Sequence, residues 1–165
     1  PVLRRGVRRS LRARAPRNAD GKRAGMTKDE TTHDAACHCG AVRFRVRLPD
    51  GFTTARRCTC SFCRMRGAVV VSARQEDITF LAGEANLTLY QFNTRTARHW
   101  FCRTCGIYTH HQRRSDPTLY GVNVACLQGV SPFDFAEVPV VDGVAHPSDT
   151  GGTSRVVGTL RFDPA

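Results

Sequence analysis

The chain is 165 residues long, enough for a single domain with a sizeable core, so its cysteines are not needed merely to staple a small scaffold. Its net charge of +11 divides unevenly: residues 1–25 hold nine Arg/Lys and one Asp, or +8, whereas residues 26–165 hold sixteen basic and thirteen acidic residues, or +3. That near balance argues against nucleic acid as a partner of the domain, and no apolar run is long enough for a membrane span.

Residues 1–25 have little apolar content and no core periodicity, so composition predicts a disordered basic tail. Such a tail could neutralise phosphates, could be an Arg-rich transit peptide, or could be sequence upstream of the true start. Met26, followed by a short polar lead into the first cysteines, reads as a natural start, which makes 26–165 the domain. Ala41 to Leu48 alternates: Val42, Phe44, Val46 and Leu48 on one face, Arg43, Arg45 and Arg47 on the other, the pattern of a half-buried strand. Pro49-Asp50-Gly51 ends it. Ala68 to Ser72 is a β-branched run, and Arg74 to Asp77 allows a single helical turn. Ile78 to Leu81 and Leu87 to Phe92 flank a five-residue connection and predict a hairpin pair. His99 to Phe101, Ile107 to His111, Leu119 to Leu127 and Val156 to Phe162 supply further strands, with a loop predicted from Gly129 to about Pro139. No segment sustains a helical period over three turns. The expected fold is all-β, with short strands and metal-bearing turns.

Seven of the eight cysteines fall into three clusters: Cys37-His38-Cys39, Cys58-Thr59-Cys60-Ser61-Phe62-Cys63, and Cys102-Arg103-Thr104-Cys105. Disulfides are the ordinary reading of a cysteine-rich chain. With no apolar signal-like run at the start, a reducing, cytoplasmic compartment is expected, and close C-x-C and C-x-x-C pairs then read as metal ligands. A structural zinc takes four ligands, and a reactive one takes three plus an open position. Seven thiolates split most simply into four and three, although spacing alone permits other partitions. Cys37/Cys39 and Cys102/Cys105 each precede a glycine and a strand and can close one site between distant elements. Cys58, Cys60 and Cys63 can hold a metal from one loop, beside Arg56, Arg57, Arg64 and Arg66, which would favour thiolate and attract an anion. Each of these arginines taken alone reads as a solvated surface residue. Cys126 stands apart and is expected in the core. His38, His99, His110 and His111 are not expected to be ligands. His110 and His111 lie on opposite faces of one strand, so at most one faces a site. Trp100 reads as core.

These runs, Cys37-His38-Cys39-Gly40-Ala41-Val42-Arg43-Phe44, Cys58 to Arg64 and Phe101-Cys102-Arg103-Thr104-Cys105-Gly106, together with Asn123 to Leu127, resemble the glutathione-dependent formaldehyde-activating enzyme family, which shares the centromere-protein-V-type zinc domain. The resemblance spans roughly residues 34 to 146. It implies a β-tent of small antiparallel sheets and two zinc ions per chain. It implies a structural zinc at Cys37, Cys39, Cys102 and Cys105. A catalytic zinc is implied at Cys58, Cys60 and Cys63, a site that can be partly empty. It also implies a carbon–sulfur lyase type of activity, with glutathione and formaldehyde giving S-(hydroxymethyl)glutathione. The expected partners are therefore a small thiol such as glutathione and an aldehyde. Two other functions fit the cysteines: a zinc scaffold acting as a binding module, and a redox sensor in which the three-cysteine loop forms a disulfide.

Overall fold

The predicted alternation at residues 41–48 is present in the computed structural model, which describes residues 31–164. Val42, Phe44, Val46 and Leu48 are all fully buried, and Arg43, Arg45 and Arg47 are exposed. The expectations for residues 1–25 and Met26 lie outside the described residues. Strand β2 (Arg43–Arg47) sits between β1 (Thr32–Ala36) and β5 (Ile78–Ala82) in a three-stranded antiparallel sheet. A five-stranded antiparallel sheet has the order β4 (Val70–Arg74), β9 (Leu119–Asn123), β8 (Tyr108–Gln112), β7 (Arg98–Cys102), β6 (Leu87–Tyr90). A third, small sheet has β10 (Glu137–Val141) between β11 (Val156–Arg161), antiparallel, and the two-residue β3 (Arg57–Cys58), parallel. The described residues also form two short α-helices, α1 (Ser61–Arg66) and α2 (Pro147–Thr150), and several 3-10 turns, one of them at Gln75–Asp77. The protein is mostly β, as its short alternating runs predict. Among the described residues no helix is long and apolar enough to cross a membrane.

One core joins the sheets. The apolar face of β2 packs with Val71 of β4, Val122 of β9, and Val124 and Leu127 beyond it. Cys126 is buried there as expected, its thiol directed at the Tyr108 carbonyl 3.6 Å away.

Three expectations need correction. The strands expected at 78–81 and 87–92 form over Ile78–Ala82 and Leu87–Tyr90 but do not pair with each other. The register of β5 is with β2, where Phe80 faces Phe44, and that of β6 is with β7, where Leu87 faces Cys102. The partners that bury these apolar residues are distant in sequence, and they override the local hairpin signal. Residues 129–139 are not one loop. A short 3-10 turn at Pro132–Asp134, capped by the Ser131 hydroxyl, leads into β10, and Pro139 lies within that strand. The strand from Leu119 ends at Asn123, whose side-chain oxygen accepts from the Ala125 N–H and starts a 3-10 turn over Val124–Cys126.

His110, on β8, faces away from the cysteines and packs among Phe44, Phe80, Trp100 and Tyr120. Trp100 is half-buried and stacks on it rather than filling the core centre. Burial of His110 pushes its pKa down from 6.5 to about 4. The unfolded chain therefore takes up a proton that the folded protein refuses. Stability from this group is intact above pH 6.5 and is lost as pH falls toward 4, by up to about 3 kcal/mol. His110→Phe should melt with a shallower dependence on pH between 6.5 and 4 than wild type. Parallel curves for the two proteins would contradict this.

Candidate metal centres

Two hairpin bends build the first cluster. Between β1 and β2 the chain turns through Cys37-His38-Cys39-Gly40, with the Gly40 N–H on the Cys37 carbonyl (3.0 Å) and the Cys37 N–H on the Val42 carbonyl (3.0 Å). Between β7 and β8 it turns through Cys102 to Gly106 in the same way, with Gly106 N–H to Cys102 O at 2.8 Å and Cys102 N–H to Ile107 O at 2.9 Å. The bends face each other, and the sulfurs of Cys37, Cys39, Cys102 and Cys105 all lie within 4.8 Å of one another. The Cys37–Cys39 and Cys39–Cys102 separations are 3.6 and 3.7 Å. Four sulfurs about 2.3 Å from a tetrahedral zinc would be ~3.8 Å apart, so this donor set fits such an ion. Polar hydrogens point at the sulfurs, as thiolates require: Val42 N–H to Cys37 (3.3 Å) and Asn86 Nδ2 to Cys102 (3.4 Å). Hydrogen bonds from the Cys39 and Ile107 backbone N–H groups hold the Cys105 thiol down to about 6. His38 is exposed between two of the sulfurs' residues.

The second cluster is a strand end running into a helix start, rather than a simple loop. Cys58 ends β3, Cys60 caps α1 and Cys63 lies in its first turn. The Cys60 sulfur accepts from the Cys63 N–H (3.3 Å), and the Cys58 sulfur from the Cys60 N–H (3.4 Å). Their three sulfurs also lie within 4.8 Å of one another. Cys60 is the thiol most ready to ionise, because the Cys58 and Cys63 thiols and two backbone N–H groups all stabilise its anion. Cys63 is pushed the other way by sharing with Cys58 and Cys60 and by burial. Three sulfurs at this spacing cannot all be anionic without a cation among them, so this set too could hold a metal ion. All eight cysteines are free.

The clusters differ in their surroundings. Cys58, Cys60 and Cys63 line a cavity of about 510 Å³, and none of Cys37, Cys39, Cys102 and Cys105 does. Arg56, Arg64, Arg66, Arg113 and Arg114 also line it, with Asp142 and Asp149 as its carboxylates. Both carboxylates are already paired, Asp142 with Arg155 (2.9 Å) and Asp149 with Arg114, which leaves the cavity positive. Of the four arginines singled out from the sequence, Arg57 is not in the lining. Arg56 is buried deeply enough that desolvation pushes its pKa down to about 10, which raises its appetite for an anion. His99 and His111 line the cavity, and His110 does not.

A model of the glutathione-dependent formaldehyde-activating enzyme family matches residues 32–137, which include both cysteine clusters. The chain belongs to that family. A Halomonas elongata protein described as a putative glutathione-dependent formaldehyde-activating enzyme is 32% identical over 80 residues, covering 44% of this chain and 50% of the relative. The chain thus spans about half the length of that curated relative. A crystal structure of a Rhodobacter sphaeroides protein superposes with a TM-score of 0.64 at 64% identity, covering 65% of this chain and 98% of the other.

In this family member part of the cavity wall, including Val141, Gly143 and His146, comes from residues beyond the family match. Gly143, between β10 and α2, lies so close to the three-cysteine segment that a Cβ there would be 2.3 Å from the Cys58 sulfur and 2.7 Å from the Cys60 nitrogen. Its N–H donates to the Thr59 hydroxyl (2.9 Å), which fixes the segment from outside. Sequence reasoning missed Gly143, Arg113 and Arg114, because each is an ordinary surface residue until β8 and β10 fold against the cysteines.

Proposed function

We propose that this chain is an enzyme of carbon–sulfur lyase type that makes or cleaves adducts between a small anionic thiol and an aldehyde, glutathione and formaldehyde being the pair the family name supports. On this reading Cys37, Cys39, Cys102 and Cys105 hold a structural zinc, and Cys58, Cys60 and Cys63 hold a second zinc with one position left for substrate. The observation that carries it is the contrast between the clusters: four sulfurs closed on themselves, and three opening onto a positive cavity. A zinc bound by the three cysteines would supply a Lewis acid that favours thiolate over thiol. The protein's own residues do the rest. Arg56 and Arg113, not neutralised by the cavity's carboxylates, draw in and orient the carboxylates of the thiol. Arg66 donates to the Cys63 sulfur (3.5 Å) and holds the anionic cluster in place. The half-enclosed cavity positions sulfur and aldehyde together, which matters because the uncatalysed addition is already easy.

Calorimetry on metal-replete protein tests this. Glutathione should bind, S-methylglutathione should bind at least about tenfold more weakly, and rising salt should weaken glutathione binding as the arginines are screened. A thiol can present an anionic sulfur and a thioether cannot. Equal affinities would mean that the sulfur does not reach the cysteine cluster.

A further inference from the structure

Two imidazoles on the cavity wall have hydrogen-bond roles that their neighbours fix. Arg66 reaches His99 Nδ1 at 3.4 Å. A guanidinium has donors only, so Nδ1 presents its lone pair and the ring proton is on Nε2. His99 Nε2 is buried and has no hydrogen-bond partner, although the residue is only 3% exposed. On the next strand, Tyr108 has one hydroxyl proton and two neighbours, the Gly121 carbonyl at 2.9 Å and His111 Nδ1 at 2.5 Å. The arrangement that satisfies both contacts gives that proton to the carbonyl, which can only accept, and has His111 Nδ1 donate to the tyrosine oxygen. His111 Nε2 is then a lone pair. The two rings stack with centroids 5.0 Å apart, and Gly121 leaves room for His111, since a Cβ there would be 2.2 Å from its ring. Both rings are neutral at neutral pH: burial, helped by Arg66, holds His99 at about 4, and the same two causes hold His111 well below 6.5.

Both residues line the cavity that also presents Cys60 and Cys63, one ring with an unpaired donor and the other, stacked on it, with a lone pair. We propose that His99 and His111 handle the aldehyde oxygen: His99 Nε2–H donates to it, and His111 Nε2 carries its proton. The group that satisfies both at once is a hydroxyl on the reacting carbon, the hydroxymethyl of a thiol–aldehyde adduct. In the addition direction the sulfur lone pair forms the C–S bond and the C=O π pair retreats onto oxygen. The proton lost by the thiol reaches that oxygen through His111 Nε2, so no other reactant is needed. In cleavage His111 takes the hydroxyl proton, the C=O bond re-forms, the electron pair of the C–S bond leaves with sulfur, and the proton passes from His111 Nε2 to that sulfur to regenerate the thiol. A buried donor that costs free energy while unpaired is stabilised only where the charge develops. The assignment rests on the function proposed above.

Two measurements test it on the full chain. Long-range proton–nitrogen spectra of histidine-labelled protein at pH 7 should show His99 protonated on Nε2 and His111 on Nδ1. The same tautomer in both rings overturns the proposal. The second measurement is the protein-dependent rate of exchange between formaldehyde and S-(hydroxymethyl)glutathione, followed by exchange spectroscopy. His99→Phe, which keeps a ring against Phe62 and Phe92, should lower this rate about tenfold or more while glutathione affinity stays within about threefold. His99→Gln, whose amide N–H can replace the Nε2 donor, should recover most of the rate. An unchanged rate in His99→Phe with glutathione still bound overturns the proposal and leaves the proposed function standing. Wild type that does not bind glutathione at all removes the function, and this assignment with it.

Discussion

Replacing Cys105 with serine should abolish the cooperative thermal unfolding of the protein, and Cys37→Ser should do the same. The four-sulfur cluster is the junction between two sheets, since Cys37 and Cys39 leave β1 for β2 while Cys102 and Cys105 join β7 to β8. A metal bound there would hold the two hairpin bends together, and in the unfolded chain that site would not exist. Its binding free energy is therefore folding free energy, about 10–16 kcal/mol for structural zinc in small domains, against a total stability of about 5–15 kcal/mol for a typical domain. Losing one of four ligands removes enough of the first quantity to exhaust the second. Circular dichroism melts of metal-replete proteins read this directly. A Cys105→Ser protein that melts with wild-type cooperativity and midpoint would show that the cluster does not carry the fold.

Cys60→Ser should have the opposite profile. The three-cysteine cluster lines a cavity, on a two-residue strand and a one-and-a-half-turn helix with no fully buried residue. Little of the core depends on it. The melting temperature should stay within a few degrees of wild type, while glutathione binding is lost. The effect on binding should be nearly complete, because Cys60 is the central sulfur of the three in sequence and the one whose anion its neighbours most stabilise. Strong destabilisation by Cys60→Ser would mean that this cluster also holds the fold, and that the two sites have not been told apart.

The cysteine grouping was legible in the sequence because C-x-C and C-x-x-C spacings are local, and the glycine after each pair signals the bend. The strand at 43–47 was legible for a similar reason, since burial of one face writes a period of two into the residues. What was not legible depends on tertiary partners. β1, with the polar sequence Thr-His-Asp-Ala-Ala, is a strand because β2 lies beside it and Arg45 pairs with Asp34 (2.7 Å). β10 contains Pro139 and reads as a loop until it lies between β3 and β11. α1 is too short to show a helical period and buries no apolar stripe. The same holds for the cavity. Arg56, Arg64 and Arg66 neighbour the cysteines in sequence and could be named, whereas Arg113, Arg114 and Gly143 reach them only through the fold. Nothing in the sequence marks His99 or His111 as more than strand residues near the cysteines. Their distinguishing feature is a tautomer fixed by Arg66 and Tyr108, which no spacing encodes.

The most direct test is metal content per chain, measured by elemental analysis on wild type and Cys60→Ser before and after mild chelation. Wild type should hold two zinc ions, falling to one on chelation as the three-cysteine site empties first, and Cys60→Ser should hold one throughout. A single zinc in both proteins with identical resistance to the chelator, or loss of both ions together from wild type, would contradict the division into a closed four-cysteine site and an open three-cysteine site.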